Sequence, residues 1–221
     1  MQPHLFILLA GKPLVLQAAA VIASAAVILI ARQFLIQQFG PQLFYDPLIL
    51  LAIPLAIAFV LRLKPQQLGL RLGNTVRDLP LTALLLLACS PLIFIASRFP
   101  VFYNYYPLFG WARGGLPGLA AYELFILVLM ASTEFFFRGF LMFGTRKKLG
   151  ANASNLLQTA PYVLVHLGKP QLELPASLVG GLLFGWLDQK SDSILPSIIL
   201  HFGFNLLMDL FCLQAAGVLF A

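Results

Sequence analysis

The chain has 221 residues, of which 60% are hydrophobic and only 10% are charged, and its formal net charge is +6. Soluble domains carry about a quarter charged residues, so this composition, with a mean hydropathy of +0.91, excludes an ordinary soluble domain and indicates an integral membrane protein. The basic residues concentrate in loops and form no cluster with interleaved aromatic side chains. We therefore expect the lipid bilayer, and no nucleic acid, as a partner.

Seven apolar segments follow one another along the chain, most of them long enough to cross a bilayer. Their continuous hydrophobic character favours helices over short alternating strands. The sequence thus predicts an all-α, polytopic transmembrane helix bundle with about seven spans, in a single integral-membrane domain of residues 1–221. The predicted spans are residues 14–31, 47–61, 79–97, 118–145, 152–167, 174–189 and 194–220.

The distribution of positive charge predicts the orientation of these spans. The loops at residues 62–77 and 146–148, together with Lys12 and Lys190, contain most of the Lys and Arg residues and fall on one side of a seven-span topology. Because cytoplasmic loops are enriched in Lys and Arg, we expect this side, and with it the N-terminus, to be cytoplasmic. No basic segment precedes the first span as in a signal peptide, so we expect this span to stay uncleaved.

Several polar side chains lie in or beside the apolar segments, where they are costly unless they face the interior of a bundle, and they usually mark a functional site. His201, Asn205 and Asp209 lie four residues apart and share one helical face, whereas Glu134 and Arg138 are spaced to pair. Counted from the cytoplasmic ends at ~1.5 Å per residue, these groups lie about 10–23 Å deep. We therefore predict a shared polar layer inside the membrane. Its members are Glu134, Arg138, His166, His201, Asn205 and Asp209.

These residue types indicate hydrolysis more than transport. A carboxylate and two imidazoles can activate a water molecule, and an amide can donate to a developing oxyanion. In a metal-dependent alternative, Glu134, His166 and His201 would bind zinc, although the helical His-Glu-x-x-His signature does not occur in the sequence. We favour a reaction that requires no cofactor. A proton relay in a small transporter is a further alternative, but the sequence has no detectable internal symmetry.

Three polar motifs follow one another in the second half of the chain. They are Ser132-Thr133-Glu134-Phe135-Phe136-Phe137-Arg138-Gly139, Tyr162-x-x-x-His166 and His201-x-x-x-Asn205. In this order they resemble the motifs of the CAAX-protease and bacteriocin-processing (Abi) family of intramembrane endopeptidases, and the resemblance covers about residues 60–210. It implies a membrane helix bundle whose polar site opens within the bilayer of a bacterial plasma membrane. It also implies a membrane-associated peptide or protein as substrate.

The resemblance implies a role for each motif residue. Glu134, His166, His201 and Asn205 would be catalytic, in an endopeptidase that hydrolyses a peptide bond with a water molecule activated by glutamate and histidine. His166 would position or activate this water, and His201 and Asn205 would stabilise the oxyanion. Arg138 would hold a carboxylate.

One position departs from the family pattern, because Thr133 stands where the first glutamate of the motif is expected. A hydroxyl does not accept a proton near neutral pH, so another group must act as the base. The candidates are Glu134 itself, Glu123 on the same helical face and Glu173 in the predicted outer loop, with Asp209 as a supporting acid. Alternatively, the chain has lost catalysis and acts as a membrane binding, immunity or assembly factor.

Overall fold

The computed structural model of the protein describes residues 14–39 and 44–218. Within these ranges the regular secondary structure is entirely helical, without a strand, which confirms the predicted all-α class. Lys12, which contributed to the predicted orientation, and the last residues of the predicted span 194–220 lie outside the described residues.

Every predicted span coincides with a helical segment. A π-helical stretch, Leu48–Ala52, leads directly into the helix Ile53–Val60. A longer one, Phe135–Phe143, joins the helix Gly115–Glu134 to the helix Gly144–Leu149 without interruption. The helices are α1 Leu14–Phe39, α2 Ile53–Val60, α3 Thr75–Ala96, α4 Pro100–Tyr103, α5 Gly115–Glu134, α6 Gly144–Leu149, α7 Ala151–Leu164, α8 Glu173–Ser191 and α9 Leu195–Ala215.

Four of these segments are long and apolar enough to cross a membrane: Leu14–Gln37, Thr75–Ala96, Gly115–Leu149 and Leu195–Ala215. The segment Leu48–Val60 is apolar but shorter. Helix α7 has only 14 residues and, like α8, carries several amide or charged side chains. An integral membrane protein is therefore supported, whereas the count of about seven spans stays a prediction.

The positively charged loops meet at one end of the bundle. Arg146 Nη2 lies 3.0 Å from Asp192 Oδ1, and Arg71 pairs with the same carboxylate. Lys190, at the end of α8, pairs with the buried Asp78 of α3. The three loops that the predicted topology assigns to one side of the membrane thus contact one another, although their cytoplasmic orientation stays a prediction.

The π-helical stretch Phe135–Phe143 is the centre of the fold. All nine of its residues are buried, and it contacts segments from both halves of the chain, including α1, α2, α7 and α8. π-Helical turns are rare and occur frequently at functional sites. Here the stretch starts directly after Glu134 and contains Arg138, so two charged side chains lie in the most deeply buried part of the protein.

Helices α7 and α8 pack closely because two glycines of α8 face α7. A Cβ atom at Gly185 would lie 2.0 Å from Asn155 Oδ1, and one at Gly181 would lie 2.8 Å from Thr159 Cγ2. The absence of a side chain also lets Gln158 Nε2 donate to the Gly181 carbonyl at 2.9 Å. This close packing fixes the helix that carries Tyr162 against the helix that carries Phe184.

We predict that Gly185→Ala lowers the free energy of unfolding by about 1–3 kcal/mol, because Asn155 is held by hydrogen bonds to Leu182 O and Gln158 Nε2 and cannot retreat freely. Gly180→Ala is the matched control on the same helix, since a Cβ there meets nothing within 4 Å. The control substitution should raise the free energy of unfolding of the protein by roughly 0.5–1 kcal/mol, because Ala has a higher helix propensity than Gly. Thermal unfolding in detergent measures both, and equal shifts would contradict close packing.

Candidate functional site

Glu134 and Arg138 form an ion pair at the junction of α5 and the π-helical stretch. Both side chains have no solvent exposure, and Arg138 Nη1 donates to Glu134 Oε1 at 3.1 Å. The guanidinium carbon lies 4.0 Å from the centre of the Tyr162 ring and 5.3 Å from that of Phe184. Charges inside an apolar bundle are tolerated only when they are paired, so the predicted pairing of these two residues is present and is supported by cation–π contacts.

His201 extends this pair into a chain of three groups. Its Nδ1 lies 2.5 Å from Glu134 Oε1. Because an ionised carboxylate only accepts hydrogen bonds, Nδ1 carries the proton, and in the neutral imidazole Nε2 is free to accept another. The carboxylate therefore fixes both the orientation and the tautomer of His201.

The start of α9, which carries His201, is held by an aspartate of α8. Asp188 Oδ1 accepts from the Ser197 backbone N–H at 3.0 Å, and Oδ2 accepts from Ser197 Oγ at 2.6 Å. Both residues are fully buried. An acid that accepts from the free backbone donors of a first helical turn stabilises that turn, so Asp188 positions His201 relative to Glu134.

His166 lies two residues after the end of α7 and approaches the same place. Its Nδ1 lies 2.8 Å from the Tyr162 carbonyl oxygen, which can only accept, so Nδ1 again carries the proton. The Tyr162 ring centre lies 4.7 Å from that of His166 and 6.1 Å from that of His201. One aromatic ring thus contacts both imidazoles and the guanidinium of Arg138, and it fixes the three groups relative to one another.

Both imidazoles line two cavities. The larger, about 400 Å³, is mainly apolar and is also lined by Glu173, Asn205 and Phe184. The smaller, about 70 Å³, contains polar groups on its wall. These are Arg32, Asp46, Thr133 and Lys169. The histidines therefore lie between a space of the size that ligands occupy and a small polar space.

Asn205 and Glu173 lie on the wall of the larger cavity. Asn205 Nδ2 donates to the His201 backbone carbonyl at 2.9 Å, one turn earlier on α9. Glu173 Oε1 accepts from Tyr106 Oη at 2.7 Å. Burial, followed by the charge of Glu173, raises the pKa of Tyr106, so the phenol stays protonated and keeps donating to Glu173.

Glu123 and Asp209 are not part of this cluster. Asp209 Oδ1 lies 3.5 Å from Tyr122 Oη, and Glu123 lies next to Tyr122 in the chain, about three turns before Glu134. Among the described residues that line the two cavities, neither of these acids occurs. The structure thus does not bring Glu123 to the imidazoles: it lies about three turns from Glu134 along α5, at the level of Tyr122 and Asp209.

Thr133 lines the smaller cavity, but its hydroxyl donates to the Leu129 carbonyl of its own helix at 2.9 Å. Asp46, a residue that the sequence analysis missed, lies on the wall of the same cavity with only 2% of its surface exposed. Arg32 of α1 donates to both of its oxygens, at 2.7 and 2.6 Å. The available signal in the sequence was that Asp46 and Arg32 are isolated charged residues, each beside a separate apolar segment. Sequence spacing does not connect either of them to position 133.

The zinc set considered from the sequence does not fit this arrangement. Nδ1 of His201 bonds to Glu134 itself, and Arg138 pairs with the same carboxylate, so these groups do not converge on a common point. Within residues 14–39 and 44–218, no three His, Cys, Asp or Glu side chains are grouped to hold a metal ion.

The comparison with protein families agrees with the geometry. Residues 114–207 match the family of type II CAAX prenyl endopeptidases described as Rce1-like. The resemblance to the CAAX-protease family is confirmed. This Rce1-like segment contains all three motifs, from Glu134 and Arg138 through His166 to His201 and Asn205. No curated protein and no solved structure gave a significant match to the chain.

We predict that Arg138→Gln lowers the free energy of unfolding by about 3–5 kcal/mol, because it leaves the Glu134 carboxylate buried without its cationic partner. The double variant Glu134→Gln/Arg138→Gln removes both charges and should recover more than half of this loss. Thermal unfolding in detergent of the wild type, both single variants and the double variant gives the coupling between the two residues. Additive losses would contradict a tightly coupled buried pair.

Proposed function

We propose that the protein is an intramembrane endopeptidase of the CAAX prenyl protease type, which hydrolyses a peptide bond of a membrane-associated substrate. The match of residues 114–207 supports a protease of this kind. The observation that carries the specific mechanism is the hydrogen bond from His201 Nδ1 to the buried Glu134, which leaves Nε2 as a proton acceptor at the cavity wall.

In the proposed reaction, Nε2 of His201 takes a proton from a water molecule as its oxygen attacks the substrate carbonyl carbon. Glu134 stabilises the imidazolium that forms, as the carboxylate does in other acid–histidine pairs. When the carbon–nitrogen bond breaks, His201 returns the proton to the leaving amine. This assignment gives His201 the proton transfer, whereas the family resemblance alone suggested an oxyanion role for it.

His166 and Asn205 complete the proposed site. Nε2 of His166 is a second acceptor on the wall that it shares with His201, and it would hold the attacking water between the two rings. The amide of Asn205 lines the larger cavity and can donate to the oxyanion when the substrate carbonyl displaces its present bond to the His201 carbonyl. Arg138 would act indirectly, by keeping Glu134 ionised and in place.

The larger cavity is the proposed binding place for the substrate. Its apolar lining and its volume of about 400 Å³ suit a short hydrophobic segment or a lipid-modified side chain. We further propose about seven spans, a cytoplasmic N-terminus and a bacterial plasma membrane location, in which the basic loops joined by Asp78 and Asp192 face the cytoplasm.

A second function, a catalytically inactive member that binds a partner or serves in immunity or assembly, is favoured by one observation. The hydroxyl of Thr133 is bonded to its own helix and cannot replace a carboxylate. Restoring the acid discriminates the two functions. If the wild type is inert and Thr133→Glu gains cleavage, the inactive reading is correct; cleavage by the wild type dismisses it.

We expect His201→Ala to reduce processing of a fluorogenic, S-prenylated CAAX peptide in proteoliposomes by at least ~100-fold, because it removes the proton acceptor. Membrane insertion and the elution volume in detergent should not change. Gln214→Ala is the control on the same helix, since its side chain is exposed, bonds Arg98 and lines neither of the two cavities. Unchanged processing by the His201 variant would remove the proposed mechanism.

A further inference from the structure

The smaller cavity holds an acid where the motif lacks one. Thr133 leaves the cavity without the glutamate that the motif resemblance expects at this position, and Asp46 reaches the wall of that same cavity from a distant part of the chain. We propose that Asp46 is a catalytic residue, the second carboxylate of the active site, which accepts a hydrogen bond from the attacking water. This inference rests on the proposed endopeptidase function.

The position of Asp46 is fixed by burial and by specific contacts. The side chain is 3% exposed and belongs to the helical residues that lead directly into the π-helical stretch Leu48–Ala52. Arg32 contacts both oxygens in a two-pronged arrangement, which fixes the carboxylate plane. Each carboxylate oxygen has two lone pairs, so the carboxylate can still accept from a water molecule after both bonds to Arg32 are made.

The chemistry of the water then divides between two acceptors. A water molecule has two protons and needs an oxygen lone pair directed at the carbonyl carbon. One proton would go to Nε2 of His201 during attack. The other, held by Nε2 of His166 before attack, would stay on the nucleophile and be hydrogen-bonded to Asp46 as the oxygen turns towards the carbonyl carbon. The cavity of about 70 Å³ exceeds the ≈30 Å³ that a water molecule takes in the liquid.

The other acids are less suited to this role. Glu134 is occupied by Arg138 and His201, and Glu173 accepts from Tyr106 on the wall of the larger cavity. Lys169, which shares the smaller cavity, lies 3.8 Å from Glu173 Oε2. Asp46 is the described carboxylate whose cavity also contains the side chain at position 133.

The experiment compares two variants that break the same ion pair. Asp46→Asn removes the acid, and we expect kcat for the prenylated CAAX peptide in proteoliposomes to fall by at least ~100-fold with KM little changed. Arg32→Gln breaks the pair but leaves the acid, so kcat should fall by less than ~10-fold. Asp78→Asn is the control for loss of a buried, ion-paired aspartate outside both cavities, and it should retain wild-type kcat per folded molecule.

A second variant keeps the test decisive if Asp46→Asn is poorly folded. Adding Thr133→Glu to Asp46→Asn places an acid at the neighbouring position on the cavity wall, and it should return kcat to within ~10-fold of the wild type. Rescue of activity by a residue that cannot restore the Arg32 pair would support a chemical role. Equal losses of kcat in the Arg32 and Asp46 variants, without rescue by Thr133→Glu, would show that the ion pair has only a structural role and would overturn the proposal.

The outcomes separate this inference from the proposed function. If the wild type cleaves, His201→Ala does not and Asp46→Asn cleaves like the wild type, the endopeptidase stands and the role of Asp46 falls. If the folded wild type is inert towards every prenylated CAAX peptide tested, the endopeptidase itself fails and Asp46 has no water to orient.

Discussion

The burial of the Glu134–Arg138 ion pair is the constraint on which the rest of this structure depends. Two full charges without solvent exposure at the centre of an apolar bundle require partners from several directions. The Tyr162 ring covers the guanidinium, and His201 donates to the carboxylate. The groups that satisfy the pair are thus the groups that form the candidate site, so the same contacts that make the charges tolerable also bring two imidazoles together.

The surrounding helices are built to keep that arrangement in place. Asp188 stabilises the first turn of α9, whereas the glycines of α8 allow close approach to α7. Arg32 and Asp46 tie the N-terminal helix to the wall of the smaller cavity. Each of these contacts is polar or closely packed in a region without bulk water, where hydrogen bonds are strong and unpaired groups are costly. The site is therefore rigid on the side of the imidazoles and open on the apolar side.

The sequence predicted what depends on local spacing. Composition predicted the helical class and the positions of the apolar segments, and the i, i+4 spacing predicted the pairing of Glu134 with Arg138. The three motifs identified the two imidazoles. It predicted that polar groups of separate helices share one layer, but not which of their side chains contact one another. Asp46 lies near Thr133 only because distant segments fold together, and Glu123 shares a face with Glu134 yet lies elsewhere. The π-helical stretch Phe135–Phe143, with its five phenylalanines, has no sequence signal that we recognise.

The central claim is that Glu134 holds His201 with its proton on Nδ1 and its Nε2 free. The chain has three histidines, so ¹⁵N NMR of histidine-labelled protein in lipid bilayers can assign each ring through single substitutions. We predict a protonated, strongly hydrogen-bonded Nδ1 and an unprotonated Nε2 for His201, with the hydrogen-bond signature lost in Glu134→Gln. A His201 ring protonated on Nε2 alone, or one indifferent to the Glu134 substitution, would contradict it.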